Sequence, residues 1–140
     1  MRQAAAVLTV RLDTIRLFLH VLAATVWVGG QITLAALVPG LRRLDPDAPR
    51  ALARRFNRIA WPAFAVLFVT GLWNLGETHV GDRSSAWIAT LFAKLVVVAL
   101  SGIGAALHAR AATKQALALW GGLSGLTALL ALFYGVQLHG

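Results

Sequence analysis

The sequence predicts an all-α integral membrane protein, a four-helix bundle with N-terminus and C-terminus outside, and three observations carry that reading. Four apolar runs, at 17–41, 59–76, 86–107 and 116–138, take up most of the 140 residues. At a rise of ~1.5 Å per residue, each is long enough to cross a hydrocarbon core of ~30 Å as a helix. Hydrophobic residues make up 59% of the chain and charged ones 13%, with mean hydropathy +0.73, too little polar surface to coat a water-soluble globule of this size. Finally, His20 and Lys94 lie inside two of the runs, where a charge costs on the order of 3 kcal/mol unless something pairs with it or ligates it. A single membrane domain, 1–140, accommodates all three.

The stretch before Arg16 has a basic start but only a short apolar segment, followed by Arg11 and Asp13. It reads as a short interfacial helix or tail, and the first span as an uncleaved anchor. Span one ends at a basic connection holding Arg42, Arg43, Arg50, Arg54, Arg55 and Arg58 against Asp45 and Asp47. Asp47 is a good N-cap and Pro49 suits a first helical turn, so the second helix begins before its apolar part. Arg50, Arg54 and Arg58 then share one face as a basic stripe at the anionic headgroups. Pro62 predicts a kink near Arg58. The connection between spans two and three carries Glu77, Asp82 and Arg83, and that between three and four Arg110 and Lys114. The positive-inside rule places these two basic connections, between spans one and two and between three and four, in the cytoplasm, which outweighs Arg2, Arg11 and Arg16.

The net charge of +8 does not signal nucleic acid, because the basic residues flank apolar spans. The chain has no cysteine and only Met1, so thiolate sites and a soft thioether relay for Cu(I) are absent. A transition metal has imidazole, amine and oxygen to work with. Gly29-Gly30, Gly102, Gly104 and the 121–125 segment place small residues where helices approach closely.

Inside the spans the polar residues form stripes. Trp87, Lys94, Ser101 and His108 recur at heptad spacing on span three, with Thr90, Val97 and Gly104 between them. His20, Trp27 and Gln31 share a face of span one, Thr70, Asn74 and Glu77 of span two, and Trp120, Ser124, Thr127 and Tyr134 of span four. Lipid gives no reason for four such stripes, whereas a lined interior does, and ordinary interhelical hydrogen bonding accounts for several of the hydroxyls. Counting from the apolar boundaries puts His20 roughly 6 Å and Lys94 roughly 12 Å below the outer surface. Tyr134, His79 and His139 fall on the same side, and His108 on the other. Lys94 has no acidic residue within the runs to neutralise it, so an anionic group such as a porphyrin propionate, or proton transfer as a general base, is its natural use.

These residues carry a family pattern. His20 through Trp27 to Gly29-Gly30 resembles the His-x6-Trp-x-Gly-Gly opening of the copper-resistance D (CopD) domain. Arg54 to Pro62, Thr70-Gly-Leu-Trp73 and Lys94-Leu95 continuing to His108 resemble its second and third helices, and the set is similar to the HemJ-type protoporphyrinogen oxidases. The likeness covers roughly residues 15–110 and leaves span four unassigned. It implies a haem b ligand at His20 with Lys94 as essential partner, or copper handling at outward histidines.

Three functional expectations stand side by side. The first is a haem b or metal redox centre in the outer half of the bundle, with His20 as axial ligand, Lys94 as charge partner or catalytic residue, Trp27 and Tyr134 lining the pocket and His108 as a deeper second ligand; if an enzyme, it is a haem-dependent oxidoreductase. The second is a copper uptake or resistance module binding copper at His20, His79 and His139. The third is a non-catalytic accessory subunit of a membrane complex. A bacterial inner (cytoplasmic) membrane and a homodimer fit all of them.

Overall fold

The computed structural model describes residues 11–139. Among them, four helices are long and apolar enough to cross a membrane: α1 (Leu12–Leu44), α2 (Ala48–Gly76), α3 (Ser85–Arg110) and α4 (Lys114–Gln137). The fold is an all-α membrane four-helix bundle, as the apolar runs predict. The expected helix before Arg16 falls largely outside the described residues, although α1 begins at Leu12, ahead of its apolar part.

Each helix extends past its apolar core because local chemistry sets the ends. Ser84 accepts a 3.2 Å hydrogen bond from the Trp87 amide and Thr113 a 3.1 Å bond from that of Ala116, capping α3 and α4. Pro49 stands in the first turn of α2, as expected. Asp47 does occupy the N-cap, but its side chain makes no capping bond. Instead the Asp45 carboxylate accepts from the Asp47 amide at 2.9 Å, so the turn, not the helix end, takes up the acid. Helix α2 runs without interruption through Pro62 from Ala48 to Gly76. The irregular turn lies in α1 instead, where residues Thr25–Gly29 form a π turn.

The helices pair as two hairpins. Helix α3 packs along α4, and the Leu12–Ala24 arm of α1 packs along α2. Between the hairpins, the π turn meets α4. Around that level lies the buried core of Trp27, Val28, Ala60 and Ala128, with Phe56, Phe64 and Ala105 against it. Trp27 stacks at 4.4 Å on Phe64 and 5.6 Å edge-on to Trp61.

Glycines make these approaches possible at particular seams. A Cβ on Gly104 would lie 3.0 Å from the Ser124 amide nitrogen, so α3 and α4 approach backbone to backbone. Gly30 and Gly102 accept the rings of Phe56 and Phe64 in the same way. Gly29 and Gly122, expected to be packing glycines, have open space around them, because the π turn and the start of α4 turn them away from their neighbours.

Candidate functional site

The polar stripes face inward. Thr70, Ser101, Ser124 and Thr127 are buried, while His20, Gln31, Asn74, Trp87, Lys94, His108, Trp120 and Tyr134 are half-buried. They sort into two layers with different chemistry.

The first layer is at the π turn. Trp27 Nε1 donates to Ser101 Oγ at 3.0 Å, Ser101 Oγ donates to the Ser124 carbonyl at 3.0 Å, and Ser124 Oγ donates back to the Ser101 carbonyl at 2.9 Å. The Gln31 amide stands 3.1 Å from Ser124 Oγ, and its Nε2 is buried without an acceptor. Because the Ser124 hydroxyl has one hydrogen, already given to Ser101, the consistent assignment turns the Gln31 amide so that Nε2 donates to Ser124 Oγ. Helices α1, α3 and α4 are thereby tied in one closed network. Trp27, expected to line a cofactor pocket, is only 4% exposed and spends its indole N–H here.

The second layer lies one heptad away, and the Trp27–Ser101 bond sets its register. Helices α1 and α3 run parallel, and His20 and Lys94 each precede their bonded residue by seven positions, roughly 10 Å along the axis. The two are therefore level, where counting from the apolar boundaries had separated them by about 6 Å. The boundaries misled because α1 starts ahead of its apolar run.

His20 is held by α2. Thr70 Oγ1 lies 2.6 Å from the Val66 carbonyl and 2.9 Å from His20 Nδ1. A threonine hydroxyl has one hydrogen, and a carbonyl can only accept, so Thr70 donates to Val66 and accepts from His20 Nδ1–H. The neutral imidazole is then the tautomer with its lone pair on Nε2. Gly71 lets the ring lie close to α2, since a Cβ there would be 3.5 Å from His20 Cε1. Lys94 stands level with it on α3. Its Nζ rests against α4, 3.5 Å from where a Gly135 Cβ would stand. Among the described residues no carboxylate pairs with Lys94. Tyr134 precedes Gly135 on α4 and packs its ring 6.1 Å from that of Phe133.

The remaining histidines are engaged separately. His108 Nδ1–H donates to the Leu117 carbonyl at 2.8 Å and fixes the α3–α4 turn, at the opposite end of the bundle from His20. His139 Nδ1–H donates to the Gly135 carbonyl at 2.8 Å, finishing α4. His79 is exposed and precedes the short 3₁₀ turn Val80–Asp82. No group of three histidine, cysteine, aspartate or glutamate side chains suited to a metal ion exists among the described residues, so His20, His79 and His139 are not assembled into one such group.

A residue outside the expected set sits over this layer. Arg16 precedes His20 by one helical turn, its side chain 14% exposed. It lies 3.3 Å from Asp13 and 3.8 Å from Glu77, with its guanidinium carbon 5.8 Å from the centre of the Trp73 ring. At the other end of the bundle, Arg54, Arg55 and Arg58 line a concavity of about 320 Å³ with Ala51.

The arrangement therefore offers one neutral imidazole of fixed tautomer, an ammonium at the same level with no carboxylate partner among the described residues, and an arginine one turn above the imidazole, in a bundle whose hairpins are tied together at a different level. No protein-family profile, curated protein or solved structure matches the chain.

Proposed function

We propose that this protein is a membrane-embedded haem b protein with a redox role, using His20 Nε2 as the axial ligand in the space between its two hairpins. The observation that carries this reading is the Thr70–His20 bond, which fixes the protonated nitrogen and leaves the other free to ligate. Ligating histidines in general are oriented this way, with the second ring nitrogen bonded to a protein acceptor.

The donor set suits a macrocycle better than a bare ion. A metal ion held by protein alone needs three or four converging ligands, and the described residues supply no such group. Haem brings four nitrogens of its own, so a single imidazole, that of His20, would suffice to hold it. Bound there, it supplies one-electron transfer. Thr70 orients the imidazole, Lys94 offsets a propionate charge or carries a proton at Nζ, and the apolar walls of α1–α4 exclude water. Tyr134 lines the space from α4. This assignment agrees with the HemJ-type resemblance and favours it over copper uptake at His20, His79 and His139.

The orientation proposed with it has the arginine-rich end in the cytoplasm. There Arg50, Arg54 and Arg58 lie along one face of α2 and meet anionic headgroups, as expected for a bacterial cytoplasmic membrane.

The test is the absorption spectrum of gently purified protein, as isolated and after haem reconstitution. Wild type should show a Soret band with histidine ligation. His20→Ala should lose it, and added imidazole should restore it to His20→Gly. A band that is unchanged in His20→Ala removes the assigned ligand, and absence of haem uptake by wild type removes the reading.

A further inference from the structure

The Arg16 guanidinium carries donors that the described part of the protein leaves unused. Its Nε and Nη1 are enclosed by protein with no hydrogen-bond partner. Enclosed donors of this kind are costly when left unmade. The two nearby carboxylates do not supply the missing bonds. Glu77 stands 3.8 Å from Nη1 and Asp13 3.3 Å from Nη2, beyond the ~2.8 Å of a charge-assisted bond. Glu77 is itself exposed and held by a 3.4 Å bond from Trp73 Nε1, so it can be moved aside with little loss.

Position adds the second half of the argument. Arg16 and His20 are four residues apart on α1, stacked on one face at roughly 6 Å of rise. Trp73 of α2 stands beside the guanidinium and Thr70, one turn earlier, holds His20. A strongly basic donor thus sits directly above the imidazole, at the end of the bundle where the 77–84 connection lies.

We propose that Arg16 binds a carboxylate of the ligand that occupies the His20–Lys94 layer, making the site selective for flat, apolar molecules that carry acidic groups at one edge. The inference rests on the haem reading for the identity of the layer, and goes beyond it by assigning the carboxylate partner. Glu77 is the internal competitor for the same donors, displaced when the ligand's own carboxylate arrives.

The experiment is a titration of the detergent-purified full chain with metal-free protoporphyrin IX and with its dimethyl ester, read by quenching of tryptophan fluorescence. Without iron, binding is independent of ligation by His20. Wild type should bind the diacid about tenfold or more tightly than the diester, the scale of one charge-assisted pair. Arg16→Gln should lose about tenfold in diacid affinity while keeping that for the diester, and Arg16→Lys should recover part of the loss. Glu77→Gln should tighten diacid binding, which decides the matter even if Arg16→Gln does not fold. Equal affinity of wild type for diacid and diester, unchanged discrimination in Arg16→Gln, or unchanged or weaker diacid binding in Glu77→Gln overturns the proposal. If the diacid binds as expected while the iron-porphyrin spectrum ignores His20→Ala, the axial-ligand reading falls and the role of Arg16 stands. No binding of the diacid to wild type overturns the role of Arg16, while the haem reading stands or falls on the iron-porphyrin spectrum.

Discussion

The layer at the π turn and the layer one heptad away are built on the same stripes, yet they treat their polar groups in opposite ways. At the π turn, the Trp27 N–H and the Ser101 and Ser124 hydroxyls are all used within one network, to which Gln31 adds a bond at Ser124. At the His20 layer, Lys94 has no acid and the His20 Nε2 lone pair is spare, with Arg16 above them holding unused donors. In a membrane an unused polar group is expensive, so the first layer reads as the device that assembles the bundle and the second as the device that receives something. The comparison also explains the π turn. Five residues wound more loosely, Thr25–Gly29, bring Trp27 into the seam where α1 closes on Ser101 of α3.

Disturbing the assembling layer should have the largest effect on stability. Gly104→Leu drives a side chain into the Ser124 backbone, which an added Cβ alone would approach to 3.0 Å. Overpacking of this kind costs about 1–3 kcal/mol or more, and backbone cannot yield as a flexible side chain does, so the upper part of that range is expected in thermal unfolding in detergent. Ser101→Ala should follow at about 1–3 kcal/mol, because it leaves the buried Trp27 N–H without an acceptor. If Ser101→Ala were as stable as wild type, the closed network would not be what joins the hairpins, and if Gly104→Leu were, the α3–α4 seam would not be close-packed.

Thr70→Val separates the layers further. It nearly preserves shape but removes the acceptor of His20 Nδ1–H, so the imidazole loses its fixed tautomer. Haem affinity should fall about 10–100-fold, the usual effect of losing such a support, with a much smaller change in unfolding temperature than Ser101→Ala gives. Equal haem binding by Thr70→Val and wild type would show that the bond is a packing detail.

Much of the fold was legible because lipid simplifies the problem: spans must be apolar and helical, so interruptions stand out. The heptad of Trp87, Lys94, Ser101 and His108 marked the inward face of α3, and the stripe of Ser124, Thr127 and Tyr134 that of α4. The π turn was not legible, since Trp27 lies on the same face as His20 by ordinary helical spacing, and looser winding leaves no mark in composition. Arg16 was missed for a different reason. It precedes the apolar run and so reads as a charged flank, whereas its burial comes from Trp73 and Glu77, some sixty residues on. The ring bonds of His108 and His139 to nearby carbonyls depend likewise on turn geometry that spacing does not show.

In the proposed site residues 20 and 94 face each other between the two hairpins, a pairing argued from their common level. The chain has no cysteine, so it can be tested in a clean background. The pair His20→Cys/Lys94→Cys, treated in membranes with a short bis-maleimide, should form an intramolecular cross-link. Phe18→Cys/Lys94→Cys should not, because Phe18 is 61% exposed on the lipid side of α1. Cross-linking of the first pair and not the second is the predicted result; failure of the first pair, or equal reaction of both, would contradict it.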